Sequence, residues 1–305
     1  MTQYRPSGAI GVLLTPFDEK GSVCWSELEK EITFLLGTGI DGLFPCATTG
    51  EFIHLSPDEN LRILETTAKL ARGKKQLLAG ACSSNMDTSA LYMKRAAELG
   101  YDAAVLCAPY YITMSQTDLL EYFRRLARKA ILPVVLYNIP MFTGEIGMEI
   151  FKELLEEKNI IGIKDSSANM KRISHLIDIA ARRRPDFAIL SGTDDCLVPA
   201  LTAGCRGSMT AFSTILPEIN AEIYRLFRAG DIQNAQRLNS SYLQLIRLAD
   251  SITFPAGYKL IAQIRGLDMG HKQIVHQYGT PAYVALIEDI CRELIKLFGT
   301  NFRVN

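Results

Sequence analysis

The chain has 305 residues, 48% of them hydrophobic and 22% charged, enough for one large α/β domain or two small ones. Lys+Arg and Asp+Glu both number 33, so the formal charge is zero and no basic excess exists to hold a nucleic-acid backbone. Met1 to Pro6 carries no apolar signal core, and no stretch reaches the ~18 apolar residues of a membrane span, so a cytoplasmic location is expected.

Ala9 to Leu14 reads as a first strand, closed by Thr15-Pro16-Phe17. Trp25 to Leu36 has helical spacing, with Ser22 a candidate cap. Gly37 ends that helix, and the strand around Leu43-Phe44 follows at once. Ser56-Pro57-Asp58-Glu59 opens the next helix with a cap, a first-turn proline and two acids. Leu77 to Ala81 is a third strand, and Asp87 begins another helix. The helix–glycine–strand join recurs at Leu99 to Leu106 and at Gly204 to Met209. Between these lie strand-type runs at Pro133 to Tyr137, Ile160 to Ile163 and Phe187 to Leu190. Arg182-Arg183-Arg184 reads as a solvated helix end.

Eight strand candidates precede Ala211, each followed by a helical pattern. Apolar strands alternating with helices imply a parallel sheet covered on both faces. The count fits an α/β fold of the closed (β/α)8 TIM-barrel type; an open doubly wound sheet is the rival. No G-x-G-x-x-G follows the first strand, which weakens a dinucleotide site. After Pro217 only helical patterns remain: Glu218 to Arg228, Ile232 to Ala249, Ala256 to Arg265 and Ala282 to Phe298. The expected division is a catalytic barrel over 1–216, then the last barrel helix and a packed C-terminal helical extension over 217–305.

The seven cysteines are odd in number and include no C-x-x-C, as expected of reduced, mostly buried thiols. His54, His175, His271 and His276 have no metal-ligand spacing, so no metal is expected.

Lys164 ends the apolar run Ile160 to Ile163, where a barrel strand would reach its carboxyl end. A lysine held there loses solvent, which lowers its pKa, and a neutral amine can attack a ketone to form a Schiff base. The bland alternative is a structural lysine paired with Asp165. Thr48-Thr49-Gly50 could form a small carboxylate nest or an ordinary turn. Tyr137 also ends a strand and could carry a proton or anchor a loop. Strand ends converge at one mouth, so amine, phenol and nest together describe a coherent site.

The chain resembles the Schiff-base pyruvate lyases, the family of dihydrodipicolinate synthase and N-acetylneuraminate lyase, over nearly its whole length. The resemblance rests on Leu14-Thr15-Pro16-Phe17, Thr48-Thr49-Gly50-Glu51, Pro109-Tyr110-Tyr111, Leu136-Tyr137-Asn138-Ile139-Pro140, Gly162-Ile163-Lys164-Asp165 and Gly192-Thr193-Asp194-Asp195. It implies a (β/α)8 barrel with a C-terminal helical extension, a homotetramer built as a dimer of dimers, and no cofactor beyond the covalent Schiff base on Lys164. It further implies Tyr137 as the proton-transfer phenol and Thr48 and Thr49 as holders of the pyruvate carboxylate. Tyr111 resembles the tyrosine that reaches across a dimer interface to extend the proton relay through a threonine. Gly192, Ser166 and Phe142 are expected to line the substrate.

Departures from the pattern bear on the acceptor. The synthases carry an arginine for the second substrate's carboxylate where this chain has Phe142, which offers no charge. Their lysine-inhibition positions hold Ser84, Pro57 and Asn60 here. Sialic-acid lyases carry a tyrosine and a serine where this chain has Thr193 and Ala211. Ala47 replaces the glycine before the threonines, and Phe52 is reminiscent of members acting on 2-keto-3-deoxy sugar acids. The expectation is a pyruvate-dependent aldolase or lyase acting on such a sugar acid or a related 4-hydroxy-2-keto acid, with pyruvate and an aldehyde as its small-molecule partners. The alternatives are a dihydrodipicolinate synthase lacking the arginine, an N-acetylneuraminate lyase, a dehydratase or deaminase using the same enamine, and a non-enzymatic keto-acid sensor.

Overall fold

The computed structural model describes residues 4–270 and 279–304; His271 and His276 lie outside the described residues, as does the start of the amino-terminal segment. Strands and helices alternate from the start: β1 (Gly8–Val12), α1 (Trp25–Leu36), β2 (Gly42–Phe44), α2 (Pro57–Ala71), β3 (Gln76–Gly80), α3 (Met86–Leu99), β4 (Ala103–Cys107) and α4 (Gln116–Lys129). The alternation continues through β5 (Val134–Asn138), α5 (Met148–Leu154), β6 (Ile160–Asp165), α6 (Met170–Arg183), β7 (Ala188–Ser191), α7 (Leu197–Ala203) and β8 (Gly207–Thr210). Among the described residues only helices follow: α8 (Phe212–Ile215), α9 (Pro217–Arg228), α10 (Ile232–Ser241), α11 (Leu243–Asp250), α12 (Ala256–Ile264) and α13 (Pro281–Phe298).

Every strand pairs in parallel with the next, and β8 returns to β1 from Gly8–Gly207 to Gly11–Thr210. The sheet is a closed (β/α)8 barrel with a C-terminal helical extension, and the open-sheet rival is excluded. β1, β4, β5 and β6 are buried along their whole length, which is why they read as continuous apolar runs rather than alternating ones. No helix among the described residues is long and apolar enough to cross a membrane.

Local signals set several helix ends. α2 opens with a full capping box: Ser56 accepts from Glu59 N, and the Glu59 carboxylate accepts from Ser56 N. α3 stops at Gly100, whose φ of 79° suits a residue without a Cβ.

Four expectations need correction. Ser22 does not cap α1; it closes a turn with Asp18, and Cys24 occupies the cap position without a side-chain capping bond to the helix backbone. α3 begins at Met86, because Asn85 takes the cap and accepts from Asp87 N and Thr88 N. Arg184 is not a solvated helix end: its guanidinium donates to the carbonyls of Leu155, Glu157, Lys158 and Ile160, pinning the loop that enters β6. The stretch Ile232 to Ala249 is two helices broken at Tyr242. Burial of that ring puts its hydroxyl between Asn239, which donates to it at 3.2 Å, and Asn220, which accepts from it at 3.0 Å.

Candidate active site

Lys164 is the penultimate residue of β6 and only 4% exposed. It lines a cavity of about 570 Å³ at the carboxyl ends of the strands, with Thr48 after β2, Tyr137 on β5, Gly192 after β7 and Thr210 ending β8. Its Nζ stands 4.1 Å from the Tyr137 ring centre and 5.1 Å from that of Phe44. Burial pulls the lysine pKa down to about 7, with the nearby Asp194 carboxylate opposing it. A substantial fraction of the amine is therefore uncharged near neutral pH.

Asp165 is not its partner. That fully buried carboxylate accepts from Asn138 Nδ2 and Arg172 Nε, both at 2.8 Å, and from the Ser167 backbone and hydroxyl. The adjacent acid is consumed in holding β5, β6 and α6 together, and the lysine is left free of it.

Tyr137 pairs in register with Lys164 across β5 and β6. Its hydroxyl lies 3.2 Å from Thr48 Oγ1, and burial raises its pKa while contacts with Thr48 and Ser166 oppose the rise. The phenol is thus neutral at ordinary pH and able to donate. The Thr48-Thr49 turn is held by Thr15, whose hydroxyl donates to Gly50 O at 2.6 Å. Gly192 has no room for a side chain: an added Cβ would fall 1.9 Å from Ser166 Oγ and 3.0 Å from Lys164 Cε.

Thr49, Ser166 and Phe142 also line the Lys164 cavity, so seven of the eight singled-out residues converge there. Tyr111 is the exception. It is fully exposed with φ of 75°, and it lines an adjoining cavity of about 360 Å³ that shares Thr48 and Phe142 with the first. Phe142 sits at the rim, 43% exposed, with its ring 5.6 Å from that of Phe254.

The sequence assigns no role to Asp194, in Gly192-Thr193-Asp194-Asp195. It is 7% exposed and lines the cavity; burial raises its pKa to about 7, and its Oδ1 has no hydrogen-bond partner. Position alone could have flagged it, since it lies just beyond the carboxyl end of β7, at the mouth that Lys164 reaches from within β6.

The dihydrodipicolinate synthetase family model matches residues 5–275. The chain belongs to that family. A 4-hydroxy-tetrahydrodipicolinate synthase of Methanothrix thermoacetophila is 31% identical over 96% of this chain and 98% of its own length. The namesake from Bacillus subtilis is 33% identical, covering 85% of this chain and 89% of its own. Among solved structures, YagE of Escherichia coli K12, a family member in complex with pyruvate, superposes with a TM-score of 0.87 at 26% identity, covering 94% of this chain and 98% of its own. As a family member the chain is a lyase, and its barrel carries the family's architecture.

Proposed function

We propose that this lyase forms or cleaves a carbon–carbon bond next to the ketone of pyruvate through a Schiff base on Lys164. The observation that carries the proposal is a buried amine, brought toward neutrality, beside a phenol bonded to Thr48. The neutral amine attacks the keto carbon, water leaves, and a protonated imine forms. Tyr137, left as a phenolate by protonating the departing hydroxyl, takes a proton from the adjacent methyl group to give an enamine, whose carbon attacks the aldehyde. The new alkoxide takes a proton from Tyr137, and hydrolysis returns Lys164 with a 4-hydroxy-2-keto acid. Thr48 and Thr49 hold the carboxylate, Ser166 and Gly192 frame the imine, and Tyr111 reaches a neighbouring subunit's relay in a tetramer built from dimers. No cofactor enters these steps, and a cytoplasmic location accords with substrates of this kind.

The acceptor reading is an aldehyde without a carboxylate, such as the fragment of a 2-keto-3-deoxy sugar acid. Among the described residues, the charged groups lining the cavity apart from Lys164 are Asp194, Asp195 and Asp250, all acids. The nearby Arg247 is held 2.5 Å from Asp195. The Asp194 carboxyl, buried in the cavity lining, suits an acceptor hydroxyl. A second reading, 4-hydroxy-tetrahydrodipicolinate synthase, is favoured by the names of the relatives. Borohydride trapping with pyruvate tests the core proposal: a stable adduct should map to Lys164. An adduct on another lysine, or none, would overturn it. Turnover with glyceraldehyde against aspartate semialdehyde separates the two acceptor readings.

A further inference from the structure

The turn bearing Thr48 and Thr49 is braced from behind by the C-terminal helical layer. Glu51 closes the turn, donating its N–H to Thr48 O at 3.0 Å, and holds a left-handed φ of 57°. Its carboxylate is 5% exposed; Oε1 lies 2.5 Å from Lys259 Nζ and Oε2 lies 3.1 Å from His54 Nδ1. Lys259, on α12, is fully buried, donates to Gly270 O at 3.1 Å and stands 4.2 Å from the Phe17 ring centre. Glu31 is a further buried carboxylate coupled to this lysine and accepts from Leu14 N at 3.1 Å.

The same turn is therefore tied at both ends. At the front, Thr48 meets Tyr137; at the back, Glu51 meets Lys259. The middle cannot relax inward, because a Cβ at Gly50 would lie 2.8 Å from Leu13 O. α12 also reaches the other side of the reaction, since Tyr258, next to Lys259, lines the Lys164 cavity. Removing one partner of a buried ion pair leaves an uncompensated charge, which a left-handed non-glycine turn would relieve by moving.

We infer that Lys259 is a positioning residue, which through Glu51 holds Thr48 and Thr49 in register with Lys164. On this view the helical extension, and not the barrel alone, sets pyruvate affinity. The inference rests on the function proposed above.

The test compares Lys259→Met, Glu51→Gln, Glu51→Ala and the double variant Lys259→Met/Glu51→Gln in the full chain. Each is assayed with pyruvate varied, then with aldehyde varied at saturating pyruvate, alongside thermal melts. Lys259→Met should raise the pyruvate KM and lower kcat/KM for pyruvate by on the order of 10²-fold, the scale for misplacing a bound group by about 1 Å. The aldehyde KM should move far less. The double variant, which removes both charges of the Glu51–Lys259 pair, should recover part of the pyruvate affinity, and Glu51→Gln should lose less than Glu51→Ala. A folded Lys259→Met with a pyruvate KM within about twofold of wild type overturns the inference, whatever its melting temperature. If Lys259→Met does not fold, an unchanged pyruvate KM in both Glu51 variants overturns it equally. Failure of the Schiff-base reading shows separately, as wild type that borohydride does not trap, and the positioning role falls with it.

Discussion

Lys164 and Tyr137 face each other across adjacent parallel strands, with the lysine nitrogen 4.1 Å from the centre of the phenol ring. Burial acts on the two groups in opposite directions: it lowers the pKa of the amine and raises that of the phenol. Both are driven toward their neutral forms, so an uncharged amine and an uncharged phenol coexist near neutral pH, as the proposed function requires.

The rate of imine formation with pyruvate should therefore rise with pH up to about 7 and level off above it. Below that point the folded lysine holds its proton, and reactivity falls about tenfold per pH unit. Stopped-flow trapping across pH 5–9 measures this. An inflection near the ordinary lysine value of 10.5 would refute a desolvated amine.

Lys164→Met should abolish turnover yet raise the melting temperature at pH 7. The protonated amine is disfavoured only in the folded chain, so its penalty is full below about pH 7 and fades as pH climbs toward 10.5. The variant should gain on the order of a few kcal/mol at low pH, and the gap should narrow in alkaline buffer. Melts of both proteins at pH 6 and 9 decide it; an equal or lower melting temperature at pH 6 contradicts it.

Tyr137→Phe should lower kcat by roughly 10²–10⁴-fold while the Lys164 adduct still forms, because a general acid is lost and the nucleophile is kept. Near wild-type turnover would reduce the phenol to a packing group.

Gly192→Ala should damage activity more than stability. The added methyl would collide with Ser166 Oγ and crowd Lys164 Cε, displacing the amine. A shift of about 1 Å at a reacting atom costs on the order of 10²-fold in rate. Comparing kcat/KM with the melting curve separates the two effects.

Phe142→Arg should raise activity toward aspartate semialdehyde and lower it toward glyceraldehyde. The substitution puts a cation at a mouth whose charged lining, Lys164 aside, is acidic. One charge-assisted hydrogen bond is worth ~1.5–3 kcal/mol, or roughly 10–150-fold in recognition. Wild type that already prefers aspartate semialdehyde would reverse the acceptor assignment.

The barrel and the trio Lys164, Tyr137 and Thr48 were legible because each sits where an apolar run turns polar, and strand ends share one mouth. What stayed hidden depends on contacts between distant segments. Asp165 looked like a partner for its neighbour, but Arg172 and Asn138 claim it. Arg184 looked solvated until the carbonyls before β6 surrounded it. The break at Tyr242 follows from two asparagines gathered around a buried hydroxyl, one of them 22 positions away. Lys259 gave no local sign of meeting Glu51, which precedes it by most of the barrel.

Barrel closure also has a consequence for when reactivity arises. β1 completes its pairing only with β8, and Thr214 caps Val12 O across 202 positions of chain. On the ribosome, most of the protein must emerge before the first strand loses its open edge. Until then Lys164 is bathed in water and keeps its proton. Under the proposed function, a growing chain would carry an ordinary ammonium, and the reactive amine would appear only with the finished fold. The other side of this timing is slow, long-range strand pairing, which makes the interval before closure the period of greatest exposure to aggregation.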